Sequence, residues 1–329
     1  MNTTRDITFD IMKGIGILLV IIGHLAHGYG PLIPIIYTFH MPLFFIVSGH
    51  FYRQKNPVEL LCRDLKLLIV PYLLLSLLLM MYGLTISIIQ HDPGKFYYWL
   101  DALIYADTPS GDNGPLWFLL AMFWCRQIYN LLNVNVCEMG GKYCLILVVM
   151  VVVALFVTIV KWASLDYNYS CLIVGISCMF YYMVGHLINR LKTRINYFFI
   201  GFIITIGCIC VYLSLGFEMK TLSFNCIPAN VIAAVSVTYL IYIISSKLKD
   251  DSTIGFRLAW LGRMSLVVFC IHTLCFRVVP FDRLILVVVP QVSNWVLHGS
   301  VLLLHIIISI LFCKWTERNK ILRNVFSLS

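Results

Sequence analysis

Long apolar stretches alternate along this chain with short polar breaks. About 20 consecutive apolar residues are needed for an α-helix to cross the hydrocarbon core of a bilayer. Ten stretches approach that length: 9–29, 33–52, 66–90, 115–134, 142–160, 171–189, 196–216, 226–246, 257–276 and 297–314. The fold class expected is therefore an all-α polytopic membrane protein with about ten transmembrane helices in one domain over 1–329. The longest break is HDPGKFYYWLDALIYADTPSGDNG at 91–114, and its FYYWLDALIYA portion reads as a short interfacial helix anchored by aromatic rings.

Composition agrees with the pattern. The 329 residues are 60% hydrophobic and 12% charged, with a mean hydropathy of +0.90. A soluble protein carries about twice that charge fraction. The net charge of +9 does not mark a nucleic-acid binder, because the basic residues are spread over short loops and form no patch interleaved with aromatics. The twelve cysteines lie mostly inside apolar runs, as at Cys171, Cys178, Cys208 and Cys210, and read as small buried hydrophobes. No cleavable leader is recognisable, so the first apolar run is expected to stay as a membrane helix. The bundle also leaves no room for a soluble catalytic domain, which puts any chemistry within it or at its faces.

Orientation follows from Lys and Arg. With the N-terminus in the cytoplasm, nineteen fall on that side and five, Lys95, Lys161, Lys220, Arg277 and Arg283, on the other. Such a positive-inside bias places both termini of an even-span bundle in the cytoplasm.

Ionisable groups inside such helices point to function. The first span carries Asp10, Lys13 and His24. Lys13 and His24 are eleven residues apart, which at ~100° per residue leaves them only about 20° apart around the helix, with ~16 Å between them along the axis. A cation near the cytoplasmic surface and an imidazole in the outer half thus share one face. His24 is the leading catalytic candidate, since a neutral imidazole serves as a general base or a nucleophile near neutral pH. Asp10 and Lys13, at i and i+3, also suit a local ion pair. His40, in the second span, returns to the depth of His24.

Arg63 and Lys66 open the third span with Arg53 and Lys55 nearby, and such donors suit phosphate oxygens as well as anionic headgroups. Asn113 and Trp117, at the outer start of the fourth span, suit a sugar ring or an interfacial anchor. His272 ends the ninth span on the outer side. His186, His298 and His305 stand isolated and read as structural. Neither a zinc spacing, a phosphate-binding glycine loop nor a GxSxG elbow occurs, and no metal is expected.

Several of these segments together resemble the membrane acyltransferase family 3, whose members O-acylate surface carbohydrates. Lys13 followed by ten residues and His24 is similar to the family's basic-X10-His motif. TFHMPLFFIVSGHFY (38–52) resembles its second-helix segment, Arg63 and Lys66 stand at its RxxR position, and PLWFLLAMF and LGRMSLVVFCIH look like further family elements. The likeness is dense over 1–125 and sparse from 140 to 255.

The resemblance implies an O-acetyltransferase of the bacterial cytoplasmic membrane. It would draw acetyl-CoA from the cytoplasm and pass the acetyl group to a hydroxyl of a surface polysaccharide or lipid-linked glycan. His24 would be catalytic with Lys13 in support, and Arg63 and Lys66 would hold the coenzyme. From their own positions in the chain, Arg53 is expected beside that coenzyme site, and Asp10, His40, Asn113, Trp117 and His272 are expected to face the acceptor. The chain departs from the family pattern in having Lys66 where arginine is usual, and no further domain is expected after the tenth span. Another acyl group such as succinyl, or glycolipid export, are the competing expectations. No inverted repeat supports export.

Overall fold

The computed structural model describes residues 6–25, 32–92, 114–135, 148, 151, 171–191, 197–215, 217–223, 226–249, 253–291 and 293–327. The fifth predicted span, apart from Val148 and Val151, lies outside the described residues, as does the 93–113 part of the long break, which includes Asn113.

The described residues are helical and contain no strand, only an isolated bridge between Glu218 and Ser223. The helices are α1 Thr8–Leu25, α2 Leu32–Tyr37, α3 His40–His50, α4 Pro57–Asp64, α5 Val70–Gln90, α6 Trp117–Asn135 and α7 Cys171–Leu191. They continue with α8 Tyr197–Leu213, α9 Ile227–Leu248, α10 Ile254–Arg263, α11 Ser265–Val278, α12 Phe281–Val288, α13 Asn294–Arg318 and α14 Lys320–Val325. Among the described residues, five helical stretches are long and apolar enough to cross a membrane: Leu32–His50, Pro57–Gln90, Cys171–Ile188, Ile227–Leu248 and Asn294–Arg318. The pair Ile254–Arg263 and Ser265–Phe276, bent by 71°, makes a sixth if it is one span.

Three predicted spans are interrupted. The second breaks between α2 and α3, where Pro42 offers no N–H to the Thr38 carbonyl. Tight i→i−3 bonds from the N–H groups of Thr38 and Phe39 take over at 3.1 and 3.2 Å. The third begins at Pro57, nine residues before the predicted start, because Asn56 caps α4 by accepting from the Val58 N–H and Pro57 fits the first turn. A π-helical turn over Leu65–Ile69 joins α4 to α5 just before Pro71, which has no N–H to give. The ninth bends at Met264, between α10 and α11.

Glycines set where the backbones touch. A Cβ on Gly14 would lie 2.1 Å from the Leu258 carbonyl oxygen, and one on Gly262 would lie 1.7 Å from that of Asp10. α1 and α10 therefore meet backbone to backbone, the close approach that small residues permit between membrane helices. Gly49 and Gly185 do the same for α3 and α7, where added Cβ atoms would sit 1.9 Å from the carbonyl oxygens of Tyr182 and Ile46. α1 also touches α3, α9, α11 and α13, which makes it the central helix of the described bundle.

Candidate active site

On α1, Lys13, Ile17, Val20 and His24 fall at i, i+4, i+7 and i+11 and form one stripe. The first three line a cavity of about 440 Å³. α11 contributes Ser265 and Phe269 to the same cavity, and its next position along that face is His272. From the antiparallel α3 come Ser48, Phe44 and Met41, one turn from Tyr37. Three helices thus carry the cavity wall toward the same group of rings. His24 stacks near His272 with centroids 5.8 Å apart, and lies 6.3 Å from Tyr37. Tyr37 in turn lies 5.0 Å from His40.

The opposite end of the cavity is cationic. Lys13, Arg53, Lys55, Arg63 and Arg126 line it, and among the described residues no carboxylate does. Their supports are built into the fold. Asp64, fully buried at the end of α4, receives Arg126 Nη2 at 2.9 Å on Oδ1 and Gln127 Nε2 at 3.0 Å on Oδ2. Arg63 Nε reaches the same Oδ1 at 3.4 Å. With Nη2 taken, the buried Nε of Arg126 has no hydrogen-bond partner among the described residues. One turn along α6, Asn130 Nδ2 donates to the Lys55 carbonyl at 2.9 Å, while its Oδ1 accepts from the Lys55 N–H and the Tyr52 hydroxyl, both at 3.1 Å. Those bonds hold the segment that bears Arg53 and Lys55 against the cavity. Lys13 pairs with Asp10 at 2.9 Å, and Lys55 pairs with Glu59.

The structure sorts the sequence candidates. Lys13, Arg53 and Arg63 line the cavity, whereas Lys66 is exposed and absent from its lining. Asp10 is buried and serves Lys13. His40 is buried, and its Nδ1 donates to the Ile36 carbonyl at 2.8 Å, sharing it with the Phe39 N–H across the break. Its Nε2 lone pair is what remains for chemistry. Trp117 is buried and packs perpendicular to Phe118, with centroids 6.3 Å apart, so it does not form an open platform for a sugar. His186 is structural, bonded to the Tyr129 hydroxyl at 2.7 Å.

His305 is not isolated. Its ring centroid lies 5.6 Å from that of His272, with Nδ1 donating to the Val301 carbonyl at 2.9 Å. Its Nε2 and the Nδ1 of His272 are buried without a hydrogen-bond partner among the described residues. Sequence reasoning also passed over Arg126, counted only as a cytoplasmic charge, together with Gln127 and Asn130. Among the described residues no group of three His, Cys, Asp or Glu is placed to hold a metal ion.

Comparison with known proteins adds a family. A model described as "Acyltransferase domain" matches residues 6–314. Over 56 residues the chain is 46% identical to Nodulation protein NolL of Sinorhizobium fredii (strain NBRC 101917 / NGR234), which covers 14% of this chain and 15% of that one. It is 48% identical over 59 residues to Nodulation protein NolL of Mesorhizobium japonicum (strain LMG 29417 / CECT 9101 / MAFF 303099), covering 15% and 16%. The chain thus spans about one sixth of the length of these relatives. No solved structure matches.

Proposed function

The chain belongs to this acyltransferase family and is an acyltransferase enzyme, and from that premise we propose that it moves an acetyl group from cytoplasmic acetyl-CoA to a hydroxyl of a surface polysaccharide or lipid-linked glycan precursor. The proposed setting is a bacterial cytoplasmic membrane, crossed by ten helices with both termini inside. One observation carries the reading. Among the described residues, five cations and no carboxylate line one end of a cavity whose α1 stripe leads, one turn beyond Val20, to His24 and its ring partners.

A coenzyme A thioester carries a diphosphate and a 3′-phosphate at one end and a neutral acyl group at the other. The cations at the mouth match the phosphates by charge and by donor geometry. The coenzyme's charges stay at the inner side while the neutral end extends along the stripe. His24 then takes the proton of the acceptor hydroxyl, whose oxygen attacks the thioester carbon. The carbon–sulfur bond breaks, and the proton is handed to the departing sulfur. A relay in which His24 itself first carries the acetyl group satisfies the same geometry and the same balance.

The test is transfer of radiolabelled acetyl from acetyl-CoA to membrane carbohydrate, comparing wild type with His24→Ala at equal membrane abundance. Label in wild type that is lost in the variant supports the reading. Equal label in both, above an empty-vector control, removes His24 from the chemistry. No label in either favours export over transfer.

A further inference from the structure

Between the cations and the histidines the cavity wall is aromatic. The Phe118 centroid lies 5.9 Å from that of Phe44 and 5.7 Å from that of Phe269, and all three rings line the cavity. Rings at these separations are in contact, so Phe118 joins Phe44 and Phe269 into one aromatic side of the cavity. Phe118 is braced from behind by Phe45, at 5.4 Å and nearly perpendicular, and by Trp117. The collar sits directly under the reacting end. Phe269 precedes His272 by three residues on α11, and Phe44 follows His40 by one turn on α3. The neighbouring lining residues are apolar too: Val20, Met41, Leu119 and Met122. The nearest charge on α1 is Lys13, seven residues below Val20, or ~10 Å of helix rise.

We propose that the Phe44–Phe118–Phe269 collar selects the acyl group, admitting short uncharged acyl chains, acetyl best, and excluding longer chains and dicarboxylic acyl groups such as succinyl. The proposal rests on the acyltransferase reading above. Two physical costs set the selection. Each extra methylene must displace a braced ring, and a tight apolar pocket discriminates by about tenfold or more per methylene. A succinyl carboxylate would have to leave water and lie among rings and aliphatic side chains with no cation beside it, which is costlier still. Trp117 takes a role here that its position near the outer face conceals, as a buttress that keeps Phe118 in place.

The experiment measures transfer from acetyl-, propionyl-, butyryl- and succinyl-CoA to membrane carbohydrate, in vesicles that contain the full chain. Wild type, Phe118→Ala, Phe118→Leu and Phe269→Leu are compared. Each preparation is read as a ratio to its own acetyl rate, so differences in abundance cancel. In wild type the rates should fall from acetyl to propionyl to butyryl by about tenfold per methylene, with succinyl below all of them. Phe118→Ala should raise the butyryl-to-acetyl ratio at least tenfold and leave succinyl poor, since no charge has been added. Phe118→Leu and Phe269→Leu should give the same trend more weakly. A wild-type profile that is flat with chain length, or that favours succinyl, overturns the proposal even if every variant fails to fold. Unchanged ratios in active variants overturn it as well. In both cases transfer of an acyl group persists and the acyltransferase reading stands, whereas no transfer by wild type from any donor sinks that reading and the collar with it.

Discussion

The two ends of the α1 stripe are made of different materials. The cationic mouth is held by hydrogen bonds from buried polar groups: Asp64 sets Arg126, and Asn130 sets the loop with Arg53 and Lys55. The histidine end is packed ring on ring from His40 through Tyr37, His24 and His272 to His305, with local backbone carbonyls, those of Ile36 and Val301, accepting from its two outermost histidines. A mouth that binds by summed charge should lose affinity in steps as its cations are removed. An end that depends on one imidazole in one place should fail at once. On this account, binding and chemistry are separable by mutation in one helix.

The largest effect expected is that of His24→Ala, a fall of about 10²–10⁴ in the acetyl-transfer rate with the donor KM little changed, which is the range for loss of a general base. Gly262→Leu should come next, through folding and not chemistry. Its side chain has no space against the Asp10 carbonyl, so the amount of folded protein recovered from membranes should drop sharply while a surface substitution such as Lys66→Ala does not alter it.

Asp64→Ala leaves the Arg126 guanidinium, only 12% exposed, without its carboxylate, a change that costs about 3–5 kcal/mol for a buried pair. Thermal stability in detergent should fall, and the donor KM should rise because Arg126 and Arg63 lose their common support. Arg63→Ala should raise the acetyl-CoA KM by roughly tenfold with kcat nearly unchanged, the loss of one charge-assisted contact. Lys66→Ala, three residues on but outside the cavity, should stay within about twofold. A KM for Lys66→Ala as high as that for Arg63→Ala would show that the mouth extends beyond the cavity drawn here.

Much of this was legible from residue order. Helix lies at every predicted span within the described residues, because apolar length is set by the bilayer and needs no partner to be read. The breaks were harder to see. Pro42 and Pro71 are visible in the sequence, yet whether proline splits a helix, shifts it into a π turn or sits in a first turn depends on which neighbouring groups take up the freed carbonyls. The stripe from Lys13 to His24 was legible because it is periodic within one helix. Arg126, Gln127 and Asn130 were not, since their partners are 62 to 78 residues away. His305 offered a usable signal: it lies eight residues from the outer end of the predicted 297–314 span, near the depth of His40, seven residues into 33–52. The equal depth that pairs His24 with His40 also marks His305.

The separation of the two ends is tested most directly by measuring acetyl-CoA binding to purified His24→Ala protein alongside its transfer activity. The account predicts a dissociation constant within about twofold of wild type, because the cationic mouth is intact, with transfer reduced to background. Binding lost together with transfer, or transfer retained, would contradict it.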